Sequence, residues 1–269
     1  MSKKSIVILV MFALFIVSIV SGKIHWSKKV ANATAQTNEV QTTKTKVEKT
    51  KKEEKQDAKS SFNEAYAKNL PDVVKEKLKK AAADKKAVNL VIVGDEASSS
   101  EKDAWVAKFT ANLEASYGKG LWNVTVKEYE GESTEELIAN KRAQDIAKAN
   151  PDVILFEAPF ITDNSKTGNG NSVTNAQKFV GELSSSAKEA TIMIQPPNPV
   201  YGAKNYPKAI EALKQFATQN DYTYVDHWTA WPDATTKAIL PYLQEEFGFP
   251  SAKGHEVWAQ YVTDYFVAK

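Results

Sequence analysis

Short apolar runs alternate with amphipathic segments along residues 61–269, and this alternation predicts the elements of a domain. The runs are rich in Val and Ile and are bounded by turn residues, which is typical of buried strands. The five predicted strands are residues 89–93, 121–130, 153–156, 191–194 and 222–225. Strands that alternate with helices predict a parallel α/β sheet with helices on both faces.

The segments between the runs have helical spacing. Trp105, Phe109 and Leu113 recur at intervals of four, which predicts a helix with one buried face. Ser133 and Glu136 have the spacing of a capping box, which predicts a helix from there to about residue 150. Further helices are predicted at 61–86, 174–188, from Pro207 onward, and at 254–268.

The first residues form a separate apolar segment. Residues 5–22 carry no charge and follow Lys3 and Lys4. Eighteen helical residues rise about 27 Å, which is enough to cross the hydrocarbon core of a bilayer. Residues 1–26 are therefore predicted to be a single-pass anchor in the cell membrane, with the rest of the chain extracytoplasmic. The alternative is a cleaved signal peptide, although residues 20–22 make a poor cleavage site, and either interpretation exports the chain.

Residues 27–60 differ in composition from the remainder. Val30, Val40 and Val47 are their only large apolar residues, so this segment is predicted to be a disordered charged linker. Residues 1–60 carry twelve lysines against five acids while the whole chain is +2, so the domain at residues 61–269 carries a net charge of −5. An acidic domain argues against a nucleic-acid partner.

The chain has no cysteine, which excludes disulfides, a Cys-ligated zinc site and a thiol nucleophile. No group of His, Asp and Glu has the spacing of a metal site, and no Gly-rich phosphate loop is present, so neither a metal nor a cofactor is expected. In parallel sheets the functional residues lie at the carboxyl ends of the strands. Here those ends are residues 94–100, 130–131, 157–164, 195–201 and 226–233.

Several of these strand ends carry short motifs of a known family. Residues 91–95, Gly131, residues 151–157 and residues 254–259 resemble the blocks of the SGNH/GDSL hydrolases, in order and in spacing, over residues 87–268. The resemblance implies a flavodoxin-like three-layer α/β/α sandwich with a five-stranded parallel sheet. It also implies acyl transfer, with a Ser nucleophile, oxyanion donors from Ser, Gly and Asn, and a base from a late Asp-x-x-His.

Carried over residue by residue, the resemblance assigns candidate site residues. Asp95 would orient the first turn, and Glu96 stands where the family has its nucleophilic Ser. Gly131 would supply a backbone oxyanion donor. The third-block Asn position falls at Thr162, or at Asn164 if the loop is shifted by two residues.

The late block places Glu246 at the family's Asp position and Phe249 at its His position, and a phenyl ring cannot accept a proton. His255, at the start of the last helix, is the candidate base, with Glu96 as the other candidate catalytic group. His227 is interpreted as structural. Two further features have a functional alternative: residues 98–100 could offer a displaced nucleophile rather than helix caps, and Tyr201, Trp228 and Trp231 could stack on a sugar.

Two functions remain open from the sequence. The first is a surface esterase or O-acetyl esterase that acts on acylated cell-surface carbohydrate or a small ester. The second is a non-catalytic module that binds a cell-surface glycan or a wall-assembly partner, which the substitutions at the nucleophile and base positions favour. Whether the chain is an enzyme is left undecided, and a monomer is expected.

Overall fold

Five parallel strands form the centre of the computed structural model, which describes residues 62–166, 170–245 and 248–269. The spatial order is β2-β1-β3-β4-β5, which is the flavodoxin-like order, so the predicted parallel sheet is confirmed. All neighbouring strands pair in parallel register. The strands are β1 (Val88–Gly94), β2 (Trp122–Glu128), β3 (Val153–Glu157), β4 (Thr191–Gln195) and β5 (Thr223–Tyr224).

Helices cover both faces of this sheet. Alternate residues of β1 point to opposite sides, so Leu90 and Ile92 join one apolar cluster while Val91 and Val93 join the other. The first cluster is closed by α1, α2 and α8, and the second by α3, α4, α6 and α7. The α-helices are α1 (Asp72–Asp84), α2 (Trp105–Tyr117), α3 (Thr134–Ala139), α4 (Arg142–Ala147), α5 (Phe160–Lys166), α6 (Ser172–Ser186), α7 (Tyr206–Gln219) and α8 (Ala252–Phe266).

Two predicted helices differ from the structure. The capping box of Ser133 and Glu136 is present, but the helix it begins ends at Ala139 and a second begins at Arg142. Between them Lys141 has a left-handed backbone, with φ of 54°, which breaks the helical hydrogen-bond ladder. The predicted helix over residues 61–86 is also shorter, because α1 begins only after Pro71.

Residues 1–61 lie outside the described residues, so the predicted anchor at 1–26 and linker at 27–60 remain predictions. Within the described ranges, no helix is both long and apolar enough to cross a bilayer. The described residues belong to one compact unit that begins at Asp57, and all the described members of both apolar clusters lie in it. A chain that begins at Asp57 therefore keeps both clusters.

The beginning and the end of the described chain are joined. The Ala268 N–H donates to the Tyr66 carbonyl at 2.8 Å, and the Asn69 side chain donates to the Asp264 carbonyl at 3.2 Å. The Phe62 ring stacks on Tyr117. We name these three contacts the terminal clasp. They join the two ends of the domain near the C-terminal end of α8.

Lys77 of α1 ties that helix to the amino edge of the sheet. Its ammonium donates to the carbonyls of Asp152 at 2.7 Å and Glu189 at 2.6 Å, just before β3 and β4. We expect Lys77→Met to lower the free energy of unfolding by about 1–3 kcal/mol, because it leaves both carbonyls without this charged donor. Lys75→Met is the matched control, since Asp72, the ion-pair partner of Lys75 among the described residues, is exposed. Urea unfolding of both variants tests this, and equal midpoints would contradict it.

Candidate functional site

The carboxyl edge of the sheet carries two depressions that meet at Glu96. The main cavity, of about 600 Å³, is lined by Glu96, Gly131, Thr162 and Asn164 together with the Phe249 ring. The second, which we name the acidic groove, has a volume of about 370 Å³. Its lining includes five acidic residues and a histidine: Glu96, Glu101, Asp103, Glu128, Glu130 and His255. The structure thus brings four of the predicted site residues together in one cavity and places Glu96 and His255 in the other depression.

The Glu96 side chain accepts the backbone N–H that the resemblance assigned to an oxyanion. Glu96 begins a short 3-10 helix after β1, and its Oε1 accepts the Gly131 N–H at 3.0 Å. Its Oε2 is buried and has no hydrogen-bond partner among the described residues. The carboxylate therefore occupies the place where a tetrahedral oxyanion would have to sit to use that donor.

Asp95 lies beneath the cavity floor and is fully buried. Its Oδ1 accepts the Ala97 N–H at 2.9 Å, and its Oδ2 accepts the Thr162 hydroxyl at 3.0 Å. These bonds tie the turn after β1 to α5. Burial raises the pKa of Asp95 to about 7, with the Glu96 and Asp163 carboxylates adding to the effect.

Glu157, at the end of β3, is a second buried carboxyl that the sequence analysis did not single out. The Ser98 hydroxyl donates to its Oε2, and both side chains are fully buried. Burial, followed by the charge of Asp95, raises the pKa of Glu157 well above its usual value. The Ser98 hydroxyl is therefore buried and hydrogen-bonded to Glu157, so it is not accessible to a substrate. In the sequence, the signal for this buried carboxyl was an acidic residue at the end of an otherwise apolar strand.

The Asp95 carboxyl predicts a pH-dependent effect of Asp95→Asn. Because its pKa is raised in the folded state, its stabilising proton is fully bound below about pH 4 and is lost as the pH rises through about 7. An Asn would keep the acceptor for Ala97, and its amide could donate to the Thr162 hydroxyl. We therefore expect the variant to gain stability relative to wild type by up to about 1.4 kcal/mol per pH unit between pH 4 and 7.

Urea unfolding of wild type and Asp95→Asn at pH 4.5, 6 and 7.5 measures this difference. A difference between Asp95→Asn and wild type that stays constant over the three pH values would contradict the prediction.

His255, the predicted base, caps a helix. Its Nδ1 accepts the Trp105 N–H at the start of α2 at 3.3 Å, where the N-cap residue Ala104 has no capping side chain. Burial and the nearby Lys108 lower its pKa to about 4, so the imidazole is neutral at pH 7. The ring shares the acidic groove with Glu96. A role as a base stays a prediction.

His227 is wholly internal. Its Nε2 lies 2.8 Å from the Pro196 carbonyl and its Nδ1 lies 2.9 Å from the Trp231 indole nitrogen, which assigns the proton to Nε2. The ring stacks on Trp258 with centroids 4.2 Å apart, and burial lowers its pKa to about 3. The predicted sugar-stacking wall is therefore wrong for Trp231, which is buried because its indole N–H is satisfied inside the protein.

Of the other two aromatics of that predicted wall, Trp228 is half-buried and Tyr201 is exposed. The Trp228 indole donates to the Pro197 carbonyl at 2.6 Å, and its ring packs against Tyr206. Tyr201 is 39 % exposed, so its predicted role in sugar stacking stays a prediction.

The Phe249 ring, at the family's His position, forms part of the cavity wall. Asn198 holds its loop, because the Asn198 amide donates to the Gly248 carbonyl at 2.8 Å. The Gln244 N–H donates to the Phe249 carbonyl at 2.7 Å. Asn198 was not among the predicted site residues. Glu246, the residue at the family's Asp position, lies outside the described residues.

The fold is similar to that of solved structures that include an acetylxylan esterase and two proposed GDSL-type lipolytic proteins. Acetylxylan esterase Axe2 of Geobacillus stearothermophilus superposes with a TM-score of 0.56 at 17 % identity, over 66 % of this chain and 94 % of that one. The chain has the SGNH/GDSL hydrolase fold. A proposed G-D-S-L lipolytic protein of Desulfitobacterium hafniense has a TM-score of 0.54 at 16 % identity, over 66 % of this chain and 99 % of that one.

A proposed GDSL-like lipase of Parabacteroides merdae has a TM-score of 0.57 at 11 % identity, over 67 % of this chain and 96 % of that one. No protein-family model and no curated protein sequence matches the chain. At these identities the likeness establishes the SGNH/GDSL fold, and the chemistry has to be argued from the residues. Among the described residues no three His, Cys, Asp or Glu side chains are grouped so as to hold a metal ion.

Proposed function

We propose that this chain is a divergent SGNH/GDSL-type protein that binds an acylated carbohydrate at the cell surface without hydrolysing it. The predicted membrane anchor would hold it there, with the domain extracytoplasmic and monomeric. The observation that carries the proposal is the hydrogen bond from the Gly131 N–H to Glu96. Glu96 stands at the position of the nucleophilic serine, and its carboxylate accepts the N–H that would otherwise donate to an oxyanion.

Among the described residues that line the same cavity, there is no histidine that could serve as the base. A phenyl ring lines it at position 249, and the Ser98 hydroxyl is buried against Glu157. Serine-dependent acyl transfer needs a hydroxyl within hydrogen-bond reach of a base, with a donor aimed at the oxyanion. Losing one member of such a set already costs several orders of magnitude in rate. The cavity is still suited to binding a small molecule, because it has both polar and apolar lining residues.

Ester hydrolysis by a chain beginning at Asp57 tests this proposal. The substrates are p-nitrophenyl acetate and peracetylated xylobiose, and the matched variants are Glu96→Ala and Glu101→Ala, both of which remove an acid from the acidic groove. We expect the wild-type rate to equal that of the heat-unfolded protein with both substrates. A clear wild-type rate that falls in Glu96→Ala and is kept in Glu101→Ala would overturn the proposal.

That outcome would support the second candidate function, an esterase with a rearranged site. The observation that favours it is the shared acidic groove, where Glu96 and the neutral His255 both line the wall. In this case Glu96 would act as the general base through Oε2, and His255, whose Nδ1 accepts the Trp105 N–H, would donate a hydrogen bond from Nε2 to the substrate. A rate lost in both Glu96→Ala and His255→Gln would distinguish this mechanism from a non-specific surface reaction.

A further inference from the structure

Part of the wall of the main cavity is apolar and comes from three separate parts of the chain. Ile161 belongs to α5, Val200 and Ala203 follow β4, and Phe249 belongs to the loop before α8. Val200, Ala203 and Phe249 also pack against the apolar cluster on one face of the sheet. The wall is thus a continuation of the core, which gives it a fixed shape.

The mouth of the same cavity is polar. Asn164, Ser165, Lys204 and Asn205 line it and are exposed. Their amide, hydroxyl and ammonium groups suit the hydroxyls of a sugar. A ligand that satisfies the whole cavity therefore needs a hydroxylated part at the mouth and an apolar part against the wall.

The volume of the cavity limits how large the apolar part of the ligand can be. A volume of about 600 Å³ is that of a pocket for a whole small molecule, so an acetyl group would leave most of the apolar wall exposed. The Phe249 ring adds apolar surface at the position where the SGNH resemblance expects a polar imidazole. We propose that the main cavity holds an unbranched acyl or alkyl chain, several carbons longer than acetyl, carried on a sugar headgroup. This inference rests on the proposed function and names the ligand class of that site.

Binding of a homologous series tests the chain length directly. The probes are methyl, butyl, hexyl and octyl β-glucoside, each used below its micelle concentration, and isothermal titration calorimetry measures the dissociation constant for a chain beginning at Asp57. Burial of methylenes is worth about 0.8 kcal/mol each, which corresponds to about tenfold in affinity for every two carbons. We expect octyl glucoside to bind at least tenfold more tightly than butyl glucoside.

Variants locate the effect in the cavity. Phe249→Asn and Val200→Asn are each expected to weaken octyl glucoside binding at least fivefold, and thermal melts confirm that each variant is folded. Leu240→Asn is the matched control, because Leu240 is 44 % exposed and does not line the cavity. Its dissociation constant for octyl glucoside should equal that of wild type.

Affinity that is independent of chain length, or that falls equally in Leu240→Asn, would overturn the inference, since either result means adsorption to the surface or no chain site. Ester hydrolysis by the wild type would contradict the proposed function and leave the chain-length dependence standing. The two failures are therefore distinguishable.

Discussion

Replacing Gly254 with alanine is expected to lower the free energy of unfolding by about 3 kcal/mol or more. Gly254 lies in the first turn of α8, and a Cβ there would overlap the Tyr242 carbonyl oxygen and lie 3.0 Å from the Trp231 ring and 3.1 Å from Pro250. A backbone carbonyl cannot swing away as a flexible side chain can. The Tyr242 carbonyl also accepts the Ser251 N–H at 2.9 Å, so any shift disturbs the start of the helix.

Gly181→Ala provides the matched control. Gly181 lies inside α6, and a Cβ at that position would have no neighbour within 4 Å. Alanine is the better helix former by about 1 kcal/mol, so this variant should be slightly stabilised. Urea unfolding of both variants measures the two effects, and a Gly254→Ala variant as stable as Gly181→Ala would show that the predicted overlap is relieved at little cost.

Restoring the two missing catalytic groups is expected to produce esterase activity only when both are present. Glu96→Ser removes the carboxylate from the Gly131 N–H and supplies a hydroxyl, and Phe249→His supplies a base on the wall of the same cavity. Members of such a set act as a unit, so each single variant should remain at background. The double variant should hydrolyse p-nitrophenyl acetate at least about a hundredfold faster than either single variant, which is part of what a general base contributes.

The single variants make the result interpretable. Activity in Glu96→Ser alone would mean that His255 serves as the base from the acidic groove, contrary to the expectation. A double variant that is folded but inactive would show that the SGNH frame has lost more than these two groups. The Thr162 position, where the family has Asn, would then be the next to change, because the Thr162 hydroxyl is held by Asp95.

Most of the sheet was predictable because its signal is local. The apolar runs at residues 90–93 and 153–156 are fully buried, and each of their residues is Val, Leu, Ile or Phe. The break at Lys141 was not predictable, because a left-handed lysine leaves no mark in the hydrophobic pattern. The clustering of Glu96, Gly131 and Thr162 followed from the rule that strand ends carry the site.

Side-chain contacts at that edge could not be derived in the same way. The bond between Glu96 and Gly131 joins residues 35 positions apart and depends on one rotamer. Trp231 and His227 were harder still, because aromatic residues in a loop give the same sequence pattern whether they face solvent or, as here, satisfy each other inside. The location of the site could therefore be predicted from the sequence, whereas its chemistry could be argued only from the side-chain geometry.

The terminal clasp has a practical consequence for how the protein can be handled. Helix α8 begins beside the acidic groove and runs for 15 residues, so its far end, where Ala268 meets Tyr66, is roughly 20 Å from the groove. Tyr66 and Ala268, which lie near the two ends of the described domain, are thus remote from the groove. A tag or a sensor-chip linkage at either end should leave ligands free to approach. The same arrangement would let many copies attached side by side to one surface keep their cavities unobstructed.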